Sequence, residues 1–214
     1  MIIQGVLFDL DGLLVDTEKP FLNCWVEVCN ACGYTVSMAE ALKMVGMGLR
    51  EEETLLKDMY GDKFPFEELR DKTLRLTEEM HNKNGVLLMP GAKELLSHVK
   101  NKGLPSAVAT GTFYERAVWK LRSAGILNVF DAICTGSDVE KGKPAPDIFI
   151  LAAEKIGIAP ENCVGFEDSP VGLLSLNAAG VKSVFVKDQI EPPPSVLKTV
   201  WKRFNRLDEA ITLF

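Results

Sequence analysis

Histidine is nearly missing from this chain. Only His81 and His98 occur in 214 residues, on what read as separate helices, too few for a zinc site built on imidazole. No apolar run approaches the roughly 20 residues that cross a bilayer, and the N-terminus lacks the basic flank of a secretory leader. A cytoplasmic protein is the expectation. Five cysteines is an odd count, which argues against a disulfide framework. Cys29-Asn30-Ala31-Cys32 spells CxxC, but inside a helical pattern instead of at a strand-to-helix junction. Phe21, Trp25, Val28 and Cys32 share helical spacing, which reads Cys32 as core. Basic excess is absent as well. The formal net charge of −6 disfavours nucleic acid or an anionic membrane surface as a partner. An anionic small molecule stays compatible, because a bound cation and a few lysines reverse the local field. There is no internal repeat, and nothing demands more than a monomer.

What is present is an ordinary soluble composition, 47% hydrophobic and 25% charged, with one unusual segment. The apolar stretch from Ile2 to Phe8 ends abruptly in Asp9-Leu10-Asp11-Gly12. A β-rich apolar run bounded by a turn signal reads as a buried parallel strand, and ligand sites in such sheets lie beyond the strands' carboxyl ends. Two acids spaced two apart would crowd one spot and repel unless a cation or a turn intervenes. A metal or catalytic site is the better reading of that pattern than acidic decoration.

Residues 17 to 88 then read as helical throughout. Helices fall at 20–33, at 37–44 behind a Ser37 cap, at 50–60 and at 65–83. From Pro90-Gly91 the pattern alternates: helix 92–102, strand 105–110, helix 114–124, strand 132–134, helix 147–157, strand 162–166, helix 170–179, strand 183–187. The prolines 192–194 break the chain and 207–214 reads as a last helix. Alternation of this kind predicts an α/β fold, a Rossmann-like parallel sheet with helices on both faces. The core is 1–16 with 89–214, and 17–88 is an inserted all-α cap.

Three further signals fall at strand ends. Ala109-Thr110-Gly111-Thr112 opens a helix, so a hydroxyl and N-terminal amides meet in an anion cradle. Thr110 is the better phosphate contact there, and Thr112 reads as the helix N-cap. Lys143, held extended by Pro144, suits neutralising a phosphate or orienting a carboxylate, while Lys141 reads as a solvated loop residue. Glu167-Asp168-Ser169-Pro170 brings two more acids to a strand terminus. Beside the first acidic pair, these suit a hard cation such as magnesium, which takes carboxylate and carbonyl oxygens.

Asp9-x-Asp11-Gly12, Thr110, Lys143 before Pro144-Ala145-Pro146, and Glu167-Asp168 together resemble the four motifs of the haloacid dehalogenase superfamily, in order and along the whole chain. The segment Lys143 to Phe149 resembles most the branch of β-phosphoglucomutase and small sugar-phosphate phosphatases. The resemblance implies Asp9 as nucleophile, an aspartyl-phosphate intermediate, and Asp11 as general acid and then base. It implies Mg2+ held by the Asp9 carboxylate, the Asp11 backbone carbonyl and Asp168, with Glu167 nearby or through water. Thr110, Gly111 and Lys143 would bind phosphate. Arg50 lies where mutases hold a distal phosphate, and equally reads as a plain first-turn residue beside Glu51, Glu52 and Glu53. Phe21 stands where those mutases carry a histidine. The run 88–92 with Asp16-Thr17-Glu18 is similar to pseudouridine-5′-phosphatase-like enzymes. A phosphatase of small phosphorylated metabolites is therefore the expectation, with a phosphomutase second and a non-catalytic metal-binding relative third.

Overall fold

In the computed structural model, which describes residues 3–214, the opening apolar run forms β1, Gly5–Phe8, with every residue buried. Ile2, where the sequence reading starts this strand, lies outside the described residues. The other strands are β2 Ser106–Ala109, β3 Ala132–Cys134, β4 Cys163–Glu167, β5 Lys182–Val186 and β6 Lys202–Phe204. They form one sheet in the order β3-β2-β1-β4-β5-β6, parallel at every pairing. Helices are α1 Glu18–Ala31, α2 Met38–Ala41, α3 Leu49–Tyr60, α4 Phe66–Asn84, α5 Ala92–Asn101, α6 Tyr114–Ser123, α7 Asp147–Lys155, α8 Pro170–Ala178 and α9 Pro194–Leu197.

The chain adds β2 and β3 on one side of β1, then crosses to add β4, β5 and β6 on the other. The order therefore reverses between β1 and β4, which puts a crevice beyond their carboxyl ends. Alternate residues fill the two faces of the sheet. Leu7, Ala107, Ala109 and Cys163 pack with Ile148, Phe149 and Ala152 of α7 and Leu176 of α8. On the opposite face Phe8 stacks on Phe166 at 5.2 Å and meets the edge of Phe130 at 6.0 Å. Right-handed crossovers that run the other way along the sheet assign α5 and α6 to that second face.

The chain divides into two compact units, Met1–Asp16 with Leu87–Phe214, and Thr17–Val86. The second holds α1 to α4 around its own core of Leu22, Trp25, Cys29, Leu56, Phe66 and Leu69, among others. Ser37 caps α2 in a reciprocal box. Its hydroxyl accepts from the Glu40 amide, and the Glu40 carboxylate accepts from the Ser37 amide at 2.8 Å. No helix among the described residues is long and apolar enough to cross a membrane.

Four local expectations change. Cys32 is exposed and caps the end of α1, while Cys24 and Cys29 are buried. The helix turns a face toward Phe64 and Phe66 that is offset from the stripe read in the sequence. A sixth strand, β6, extends the sheet beside β5. Pro194 begins the short helix α9 instead of only breaking the chain, and Leu207–Leu213 is a 3₁₀ helix.

Candidate active site

Asp9 is the first residue beyond β1. Its amide donates to the Phe166 carbonyl at 3.1 Å, which fixes the strand end beside β4, and the residue is only 7% exposed. Glu167 closes β4 and is 1% exposed. Lys143 enters from the loop between β3 and α7, next to a cis bond to Pro144. Its ammonium group donates to Asp9 Oδ1 at 2.5 Å and to Glu167 Oε1 at 2.7 Å, above the Phe149 ring at 4.7 Å. Asp168 follows directly, and one carboxylate oxygen each from Asp9, Glu167 and Asp168 lies within 4.8 Å of the others. These four residues from the sequence reading converge.

The start of α8 holds Glu167 in place. Its Oε2 accepts from the Ser169 amide at 2.8 Å and the Ser169 hydroxyl at 2.9 Å, and the same hydroxyl accepts from the Gly172 amide at 3.1 Å as the N-cap. A Cβ on Gly172 would fall 1.6 Å from Glu167 Oε1, so only glycine admits the carboxylate there. Gly12 has φ +79°, and a Cβ on it would lie 2.6 Å from Asp168 Oδ2 and 3.1 Å from Asp188 Oδ2. Asp188 escaped the sequence reading, although an acid just past the fifth strand, Val184-Phe185-Val186-Lys187-Asp188, carries the same signal as the others.

The charges do not balance. With all three carboxylates ionised, the one ammonium would leave two negative charges uncompensated around the buried Asp9 and Glu167. Burial pushes the Asp9 carboxyl up to about 7; Lys143 works to lower it, and Glu167 and Asp11 add to the rise. Burial works to lower the Lys143 ammonium, but Asp9 and Glu167 outweigh it and hold the group above the ordinary lysine range. Two uncompensated negative charges among hard oxygen donors fit a divalent cation of the magnesium type.

The carboxylate of Asp11 has partners other than Lys143. Its Oδ2 accepts from the Thr112 hydroxyl at 2.6 Å, and its Oδ1 pairs with the Lys120 ammonium on α6. Thr112 is thus not the helix N-cap; Phe113 holds that position and makes no side-chain cap. Thr110 is buried, and its hydroxyl accepts from the Thr112 amide at 3.1 Å, which leaves its proton available to a ligand. Gly111 is exposed between them. Arg50 sits in the first turn of α3, exposed, and lines a shallow, open surface depression with Met47, Glu51, Thr54, Leu55 and Asp58. Lys141 is exposed. Lys120 gave no signal in the sequence, where it is one of several helix lysines.

Residues 6–186 match the sequence family described as haloacid dehalogenase-like hydrolase. Among curated proteins, the chain is 32% identical over 190 residues to hexitol phosphatase A of Escherichia coli, covering 89% of this chain and 86% of that one. It is 29% identical over 187 residues to a phosphorylated carbohydrates phosphatase of Thermotoga maritima, covering 86% and 84%. Among solved structures, a HAD family hydrolase from Deinococcus radiodurans with bound phosphate and sodium superposes with a TM-score of 0.81 at 28% identity, covering 97% of this chain and 93% of that chain. With its match running from β1 through the end of β5, this chain belongs to the haloacid dehalogenase-like hydrolases.

Proposed function

We propose that this protein is a Mg2+-dependent phosphatase of small phosphate monoesters, phosphorylated sugars or polyols, working through an aspartyl-phosphate on Asp9. The observation that carries this reading is the Lys143 ammonium bridging Asp9 and Glu167, with Asp168 close by. An anionic nucleophile meets a phosphate dianion only against strong repulsion, and fixed positive charge at the reacting atoms is what offsets it. The names of the two curated relatives support the substrate class.

Asp9 and Asp168 are the side chains that would hold the ion, with the Asp11 carbonyl. Glu167, whose two oxygens already take Lys143 and Ser169, acts mainly as a brace. When bound, Mg2+ supplies charge neutralisation for the phosphoryl group. Asp9 attacks phosphorus; its O–P bond forms as the bond to the leaving oxygen breaks, and Asp11 gives that oxygen a proton. A water molecule then gives a proton to Asp11 as its oxygen bonds phosphorus and the O–P bond of the Asp9 acyl phosphate breaks, releasing phosphate and restoring both acids. Thr110 and the amides at the start of α6 hold the phosphoryl oxygens. The helical unit Thr17–Val86 serves as the cap that selects the substrate. Phe21, which stands where the resembling mutases carry a histidine, has no proton to exchange, which favours water over a sugar hydroxyl as acceptor. The protein acts as a monomer on a small phosphorylated metabolite.

Phosphate release from a panel of sugar, polyol and nucleotide monophosphates, with Mg2+ or with EDTA, tests this reading. We expect Mg2+-dependent release that Asp9→Asn abolishes. Near-normal turnover in Asp9→Asn, or isomerised sugar phosphate without free phosphate in the presence of a sugar bisphosphate, would overturn it.

A further inference from the structure

Lys120 and Thr112 both contact the Asp11 carboxylate. Asp11 follows β1 by three residues, in a turn closed by the Leu14 and Val15 amides donating to the Leu10 carbonyl at 2.9 and 3.0 Å. The backbone narrows the staggered rotamers of such a side chain, and contacts to neighbouring groups select among those that remain. Two of the groups that do so come from α6 and the loop that leads into it. Thr112, just before α6, donates to one carboxylate oxygen at 2.6 Å. Lys120, within α6, pairs with the other. The Lys120 side chain is only 12% exposed and that of Asp11 20%. A lysine withdrawn this far from water is unusual for an amphipathic helix and needs a charge partner. The loop that presents Thr112 is fixed in turn. The Gly136 amide donates to the Thr112 carbonyl at 3.2 Å, and the Ser137 hydroxyl accepts from the Tyr114 amide at 3.3 Å.

We propose that Lys120 and Thr112 are positioning residues for Asp11. They hold the plane of its carboxylate by taking one oxygen each, so that the acid–base group has a defined place beside the leaving oxygen. The arrangement is the one in which a catalytic base is oriented by a third group, and small errors in such placement are costly to rate. The proposal rests on the phosphatase reading, since Asp11 has work to do only if an ester oxygen departs. Lys120 itself neither touches phosphate nor carries the proton.

The consequence is a dependence on the leaving group. An ester whose leaving group is already a stable anion needs little proton donation, whereas an alkyl ester depends on it. The test measures kcat/KM, which reports steps up to formation of the phospho-enzyme, for p-nitrophenyl, phenyl and methyl phosphate in wild type, Lys120→Met, Lys120→Arg and Thr112→Val, together with the melting temperature of each. General acid assistance is worth about 10² to 10⁴-fold. In Lys120→Met and Thr112→Val we expect kcat/KM for methyl phosphate to fall at least about 10-fold further than for p-nitrophenyl phosphate, with partial recovery in Lys120→Arg. An equal loss on all three esters, with or without a lower melting temperature, would mean a structural role only and would overturn the proposal. Unchanged kinetics would overturn it as well. Should Lys120→Met not fold, Thr112→Val, which changes one hydroxyl to a methyl group, carries the same two outcomes. Wild-type protein that releases no phosphate from any ester would instead sink the phosphatase reading beneath it, a result distinct from the others.

Discussion

At the scale of single residues, the site depends on side chains that are missing as much as on those present. Gly172 is the sharpest instance, because the space its Cβ would occupy is taken by the Glu167 carboxylate. Adding a methyl group there forces Glu167 off the Ser169 amide and away from Lys143. The lysine then keeps Asp9 but loses the brace that aims it. Gly172→Ala is therefore expected to cut Mg2+-dependent activity at least about tenfold and to lower stability by roughly 1–3 kcal/mol, the usual range for overpacking a filled site. Leu174→Ala on the same helix is the control, since Leu174 is 41% exposed and should change little. Steady-state assay and urea titration of both variants give the comparison. Full activity in Gly172→Ala would show that the position of Glu167 does not matter to the reaction.

At the scale of elements, the first turn of α8 joins folding to the site. Ser169 caps the helix and anchors Glu167 with the same hydroxyl. Loss of a hydroxyl cap costs typically about 1 kcal/mol, and here the hold on Glu167 loosens with it. Ser169→Ala should show both effects, and Ser169→Thr, which keeps the oxygen, neither; loss of stability with unchanged kcat would separate cap from brace. This turn was legible in the sequence because its signals are local: Glu167, Asp168, Ser169 and Pro170 are adjacent, as are the strand and acids around Asp9. Contacts made by packing were not legible. Thr112 and Lys120 reach Asp11 across 101 and 109 residues of chain, and no spacing rule connects them. The edge strand β6 is three residues long with its two basic residues exposed, too short and too polar to show a period of two. Cys32 misled because the helix ends at Ala31, one residue before the stripe it extends.

At the scale of the whole molecule, the buried negative charge links stability to pH and to metal. In the metal-free protein the Asp9 carboxyl sits at about 7, above its ordinary value of 3.8, chiefly through burial. The folded state therefore binds more protons than the unfolded chain between those two values. The associated stability is fully present below about pH 3.8 and is lost as pH rises through about 7. A divalent cation needs the ionised carboxylate, so it binds more weakly where Asp9 is protonated and releases a proton on binding below about pH 7. A ligand that binds only the folded state stabilises it by roughly 2.7 kcal/mol at a hundred times its dissociation constant. The two effects have opposite slopes with pH. The rise in melting temperature between EDTA and a fixed Mg2+ concentration is accordingly expected to be small at pH 5.5 and to grow steadily to pH 8. Calorimetric titration at pH 6 in buffers of different ionisation enthalpy should report a proton released. In Asp9→Asn the pH dependence of the shift should largely vanish. A shift that is the same at pH 5.5 and pH 8 in the unaltered protein would mean that Asp9 is ionised across the range, and that the ion enters a site whose charge the fold has already accommodated.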